Sequence, residues 1–376
     1  MAKSLLKIFF FSLPVILVLL LPAVIIFFCR EYYSVDDILY AQRKDPSVLY
    51  NTCCSNLRAP YKKALVLEKN PEIITLGTSR VLEFRQEFFR DPAIFANAGQ
   101  AIVNINDLPE FMAKLPEKRK LKVILLGLDH QMFTPGYATQ DTTSFMPESV
   151  VERFGTVLGG NWKRIYTYMF QGKVPADIIV RSFRSDNVGM AALTNGSGFR
   201  ADGSYNYGDS LEERDQHFSS STDLSNMLAS LSSDREAFLY GTRISGEAVN
   251  NLKQFLDMAK KRNIVVIGFL PPYPQGIYRK MLSVPDAYAK MVTQLPATLT
   301  NIFAAYGDQF YDYSDDSVIG AGQNEYVDPF HGTDKLSLRV LIDIAKKQKK
   351  QIGQYVDIIG LEKLLVANSK NHLTDL

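Results

Sequence analysis

Two stretches constrain this fold most: Val123-Ile124-Leu125-Leu126-Gly127-Leu128 and Ile264-Val265-Val266-Ile267-Gly268-Phe269-Leu270. Neither alternates polar with apolar residues. Strands buried on both faces read this way, and such strands belong to parallel sheets covered by helices on either side. Three further runs join them: Glu72–Leu76, Asp91–Ala98 and Gln309–Tyr313. Helical patterns fall between the runs, at Val81–Phe89, Asn106–Leu115, Gly246–Arg262, Ala287–Tyr306 and Asp334–Lys349. Five strands alternating with helices predict an α/β domain with a five-stranded parallel sheet.

The N-terminus obeys another constraint. Ile8 to Phe28 is 21 residues without a charge. As a helix it rises about 30 Å, one hydrocarbon core. Lys3 and Lys7 precede it, whereas Arg30, Glu31, Asp36 and Asp37 follow. The basic flank predicts an N-inside, single-pass anchor with everything after Arg30 outside the cytoplasm. A cleaved signal peptide is the alternative; the run is long for one, and no small-x-small site follows. Ile26-Phe27-Phe28 before Cys29 makes a poor lipoprotein signal. Pro14 and Pro22 read as tolerated kinks.

The expected division is an anchor over 1–30, a Tyr-rich juxtamembrane linker over 31–70, the α/β domain over 71–350 and an amphipathic tail over 351–376. From about 131 to 245 the βα rhythm fades into Gly, Ser, Asn and Tyr. That predicts a large insertion over the sheet's C-terminal edge, helical in part between Val150 and Val180.

A net charge of +2 gives no reason to expect nucleic acid as a partner. The three cysteines, Cys29, Cys53 and Cys54, form no metal spacing and no disulfide framework. Adjacent Cys53 and Cys54 read as plain thiols, or as a strained or intermolecular pair. Four scattered histidines lack paired ligand spacing, so no metal site and no cofactor are expected. His217 and His372 read as surface residues.

The chemistry concentrates in two places. Ile73-Ile74-Thr75-Leu76 runs into Gly77-Thr78-Ser79-Arg80, which puts a serine at the exit of a buried strand. Far downstream, Asp328-Pro329-Phe330-His331 holds a carboxylate and an imidazole three residues apart. A hydroxyl needs a base to become a nucleophile, and the base needs a carboxylate to orient it. Separately, Gly-x-Ser also suits a strand-to-helix turn with a serine N-cap, and Asp-x-x-His suits a local loop hydrogen bond. Their order at the two ends of one α/β pattern favours the catalytic reading. Gly77-Thr78-Ser79 lacks the glycine-rich loop of a nucleotide-binding domain.

Gly77-Thr78-Ser79, Asn97-Ala98-Gly99 and Asp328-x-x-His331, in this order, resemble the blocks of the SGNH (GDSL-like) hydrolase superfamily. The resemblance covers about 70–130 and 260–350. It implies a flavodoxin-like three-layer sandwich, with catalytic Ser79, Asp328 and His331 and an oxyanion hole from the N–H groups of Ser79 and Gly99. It departs at Gly127-Leu128-Asp129-His130, where an acid stands in place of the third block's Asn. A carboxylate there would repel an oxyanion unless protonated or turned away. An anchored domain of this type is similar to the teichoic-acid D-alanyl transfer proteins and to periplasmic polysaccharide O-acetyltransferase-like proteins. The resemblance therefore implies an esterase or O-acyltransferase on acyl esters of cell-envelope glycans, partnered by a membrane acyl carrier or acyltransferase. Asp129 favours the rival, an inactive anchored protein that binds or assembles an exopolysaccharide. Arg80, Asn97, Asp129 and His130 are the candidate substrate contacts. For Arg80 the alternative is a surface salt bridge, and for His130 a structural role.

Overall fold

The computed structural model describes residues 2–135, 149–209, 211, 243–284, 288–328, 330–367 and 373. The insertion's remaining residues, His217 and His372 lie outside them. The chain divides into two compact units. One comprises Met1–Leu57, Ser144–Ala201 and Asn206–Ser210; the other comprises Arg58–Thr143, Asp202–Tyr205 and Leu211–Leu376.

The second unit holds the sheet. Its strands are β1 (Ile73–Gly77), β2 (Phe95–Gly99), β3 (Val123–Gly127), β4 (Val265–Leu270) and β5 (Gln309–Asp312). All pair in parallel, in the order β2-β1-β3-β4-β5. Alternate side chains feed two cores, as the strand period of two requires. Ile74, Leu76, Ile124, Leu126, Val266 and Leu270 pack with one set of helices, and Ile73, Val123, Leu125, Ile267 and Phe269 pack with Leu338, Leu341 and Ile344 on the other face. The apolar runs lack alternation because both faces are covered.

In the first unit, α1 (Ala2–Phe28) is the apolar helix, and Phe10–Phe28 is long and apolar enough to cross a membrane. The expected linker contains α2 (Val35–Lys44), opened by a Ser34–Asp37 capping box, and α3 (Arg58–Lys69), which belongs to the sheet unit. The stretch 149–201, expected as an insertion, packs with the first 57 residues. It supplies α5 (Val150–Phe170), α6 (Ile178–Arg184) and α7 (Met190–Asn195) to this unit; α4 (Asp107–Lys114) lies on the sheet. The fully buried Glu31 carboxylate accepts the N–H groups of Cys53, Cys54 and Met190. Burial raises its pKa, and these amides only partly offset the shift. None of the three cysteines is in a disulfide among the described residues.

α8 (Gly246–Lys261), α9 (Gln275–Leu282), α10 (Lys290–Tyr306), α11 (Asp334–Lys347) and α12 (Ile358–Ala367) complete the described helices. One expectation fails. Val81–Phe89 is not an α-helix but two 3₁₀ turns, Ser79–Val81 and Gln86–Phe88. Asn97 is the cause. Its side-chain amide, buried on β2, donates to the carbonyls of Val81 (2.8 Å) and Phe84 (2.9 Å), which an α-helix would need for its own ladder.

Beside Asn97, Lys62 of α3 is wholly buried and donates to the carbonyls of Asn97 and Gly203. Burial lowers its pKa from 10.5 to about 7, with Asp202 and Glu83 pulling it back up. Between those values the unfolded chain binds the extra proton, so stability rises with pH across that window. Unfolding of the full chain in detergent, followed at pH 7 and pH 10, is expected to show that rise. Lys62→Met is expected to flatten it; an equal slope in the variant would refute the assignment.

Candidate active site

Three glycines let the serine turn sit tight on the sheet edge. A Cβ on Gly77 would lie 2.7 Å from the Gly127 carbonyl oxygen, and one on Gly127 would lie 2.2 Å from a Val81 methyl. One on Gly99 would meet Leu82 at 2.8 Å. The turn following β1 therefore closes down over β2 and β3, with Ser79 at its start and half-buried.

Ser79 Oγ lies 2.8 Å from Nε2 of His331. His331 Nδ1 lies 2.7 Å from Oδ2 of Asp328. The other oxygen of Asp328 accepts the N–H groups of Phe330 (2.7 Å) and His331 (2.8 Å). The carboxylate is thus fixed by its own loop before it orients the ring. With Nδ1–H donated to Asp328, Nε2 is left to accept the serine proton. Burial pushes the Asp328 carboxyl up, but the hydrogen bonds and charge of His331 outweigh it and hold the pKa below the ordinary carboxylate value. The side chains of His331 and Asp328 are 25% and 44% exposed, so a small reactant can approach the ring.

The four candidate substrate contacts lie behind this line. Arg80 is 8% exposed, Asp129 1%, and Asn97 and His130 0%. Arg80 is neither a surface salt bridge nor an open anion site. Its Nη1 donates to Asp129 at 3.0 Å, its Nη2 to the carbonyls of Pro271 (3.1 Å) and Pro272 (2.6 Å), and its Nε to that of Phe330 (3.1 Å). The guanidinium carbon sits 3.9 Å from the Tyr273 ring centre and 4.6 Å from that of Phe330. Asp129 accepts from Arg80 on one oxygen and from the Thr78 hydroxyl on the other. Both oxygens of Asp129 are therefore engaged within the protein. His130 packs on Tyr273, with ring centres 5.7 Å apart. Burial, reinforced by the charge of Arg80, lowers its pKa to about 3 and keeps it neutral. It is fully buried against Tyr273.

The Gly99 N–H, expected at the oxyanion, donates instead to the Asn97 side-chain oxygen at 2.8 Å. The residue after it, Gln100, takes the left-handed conformation (φ 64°), and its N–H donates to the Gly77 carbonyl at 2.8 Å. A non-glycine residue in that conformation beside the Ser79 turn marks stored strain. The Gln100 side-chain oxygen is buried and accepts no hydrogen bond among the described residues.

Sequence reasoning missed Thr78, Tyr273, Phe330 and Gln100. The first three act through partners on other strands and leave no local signal. The Asn97–Gly99 bond did have one, since Asn commonly accepts the N–H two residues on. Among the described residues no cluster of His, Cys, Asp or Glu could hold a metal ion. Comparison with protein-family models, curated proteins and solved structures returns no match to this chain.

Proposed function

We propose that the chain is a membrane-anchored serine acyl-transfer enzyme of the SGNH type, an esterase or O-acyltransferase acting on acyl esters of cell-envelope glycans. The observation that carries this reading is the pair of short contacts linking Ser79 through His331 to Asp328. The strand order 2-1-3-4-5 supports it, being that of flavodoxin-like doubly wound sheets, in which ligands bind beyond the carboxyl ends of the strands. Ser79 leaves β1 at that edge.

His331 takes the Ser79 proton while Asp328 stabilises the imidazolium. Ser79 Oγ attacks the acyl carbonyl, and the tetrahedral oxyanion forms against the Ser79 N–H. Collapse expels the alcohol, which takes its proton from His331. Water or a sugar hydroxyl then gives a proton to His331, attacks the acyl-enzyme and restores Ser79. No cofactor enters these steps. Because the Asp328 pKa is depressed, acid does not remove the orienting charge until the pH falls below the ordinary carboxylate range. The basic flank of α1 favours an extracytoplasmic site, supplied by a membrane acyl carrier or acyltransferase.

With the Gly99 N–H engaged, a second oxyanion donor has to come from elsewhere, and the Gln100 side-chain amide, one residue on, is the candidate. Gln100→Ala is expected to lower kcat by roughly 10²-fold with little change in KM, the effect of losing one such donor. An unchanged kcat excludes that role.

The deciding experiment treats the full chain in detergent with a serine-reactive fluorophosphonate and resolves labelled peptides. Labelling at Ser79 supports the enzyme. The engaged Gly99 N–H favours one other reading, a glycan-binding or assembly protein on this fold. A folded chain that binds acylated glycan yet resists the probe would establish it.

A further inference from the structure

The first unit wraps α1 in a way that sets its depth in the bilayer. Pro22 has no N–H, so the Val18 carbonyl loses its partner within the helix. The Tyr166 hydroxyl of α5 donates to that carbonyl, and Trp162 Nε1 donates to the next one, Leu19 O, at 3.1 Å. α5 runs antiparallel to α1: Phe154 packs edge-on against Phe27, and Trp162 and Tyr166 lie further down, beside Leu19 and Val18. Above this level one face of α1 is covered by protein, while Val24 and Phe27 stay exposed. Ile25, Ile26 and Cys29 are buried with Val157, Ile165, Ile178, Met190 and Leu193. Below it, among the described side chains, the large apolar ones are mostly exposed: Phe11 is 86% exposed and Leu17 60%.

The covered face needs no lipid and the exposed turns do. From Ile8 to Leu19 the uncharged part of the helix rises about 18 Å, and Lys3 and Lys7 before it have stems long enough to snorkel to the opposite headgroups. With α1 half-covered above this level and exposed below it, the membrane boundary is assigned to Val18–Leu19, where Trp162 and Tyr166 sit. Amphipathic rings prefer that level. A carbonyl freed by proline needs a side-chain donor only where water is scarce. Beyond Tyr166, Phe170 is 89% exposed at the end of α5. Lys163, Arg164 and Lys173 are exposed around it. These are long cationic stems suited to snorkelling towards acidic headgroups.

We propose that the segment from Trp162 to Lys173 is a second membrane contact, docked in the headgroup layer beside α1 and recognising acidic phospholipid. Trp162, Tyr166 and Phe170 enter the acyl boundary, and Lys163, Arg164 and Lys173 meet the lipid phosphates. This contact makes the first unit a docking module that holds α1 at fixed depth and rotation, and it stands whether or not Ser79 is catalytic.

Trp162 is the only tryptophan in the chain, so intrinsic emission reports on this segment alone. The full chain is reconstituted into vesicles of phosphatidylcholine, with and without phosphatidylglycerol, whose acyl chains carry bromine either near the headgroup or near the chain end. Bromine near the headgroup is expected to remove most of the emission, chain-end bromine less, and aqueous acrylamide little. Phosphatidylglycerol is expected to shift the emission to the blue. Phe170→Ser, a change at an exposed site, is expected to raise acrylamide access with an unchanged circular dichroism spectrum. Free quenching by acrylamide with none by brominated lipid overturns the proposal, as does stronger quenching from the chain ends. An emission indifferent to phosphatidylglycerol overturns the recognition of acidic headgroups.

Discussion

Ser79→Ala is expected to abolish fluorophosphonate labelling and to lower turnover of an acyl ester by at least about 10⁴-fold, while leaving the unfolding transition within about 0.5 kcal/mol of the parent. The hydroxyl is half-buried, and its partner among the described residues is the His331 ring, at 2.8 Å. Its removal thus orphans no other buried group. His331→Ala is expected to cost about as much as Ser79→Ala, and the double variant hardly more, because nucleophile and base act as one unit. Asp328→Asn probes a different link. The carboxylate oxygen that accepts two backbone N–H groups can be kept by the amide, but the oxygen facing Nδ1 can become a second donor. The ring would then present the wrong tautomer, at a cost of about 10⁴-fold in turnover. Ser79→Ala retaining a tenth of the parental turnover would remove the serine from the mechanism. Loss in Ser79→Ala with full activity in His331→Ala would leave the nucleophile but assign its activation elsewhere.

The parts that could be read from sequence are those whose cause is local. β3 and β4 announce themselves because both their faces are covered, so no polar residue interrupts them. Asp328 and His331 are legible because a three-residue spacing closes a small loop that its own amides stabilise. The turn after β1 is different. Arg80-Val81-Leu82-Glu83-Phe84 has an acceptable helical pattern, and only Asn97, 16 and 13 residues from the carbonyls it captures, diverts it. The same residue turns the Gly99 N–H away from the position that the family resemblance implies. Asp129 likewise reads as a misplaced charge until β1 and β3 pair, bringing Arg80 and Thr78 against it. One polar residue on a neighbouring strand thus decides both backbone geometry and site electrostatics, which no window along the chain contains.

The Arg80–Asp129 pair carries the largest expected effect on stability. Both side chains are almost completely enclosed, at 2% and 1% exposed. A buried pair adds little over a well-packed apolar replacement, but breaking it from one side strands a charge. Arg80→Leu is therefore expected to destabilise the second unit by about 3–5 kcal/mol, read as a drop in the thermal midpoint of the full chain in detergent. The Leu side chain also leaves the carbonyls of Pro271, Pro272 and Phe330 without their donor. Phe330 immediately precedes His331, so turnover measured below the new midpoint is expected to fall as well, through the loss of the donor that holds the Phe330 carbonyl. Arg80→Lys keeps the charge but cannot serve four acceptors with one compact ammonium, and is expected to recover stability only in part. The discriminating variant is the double replacement Arg80→Leu with Asp129→Leu. Removing the stranded carboxylate is expected to restore more than half of the lost stability without restoring turnover, because the Phe330 carbonyl remains unheld. If the double variant is no more stable than Arg80→Leu alone, the cost lies in lost packing against Tyr273 and Phe330 rather than in an uncompensated charge. If turnover returns with stability, Arg80 holds the fold and has no part in positioning His331.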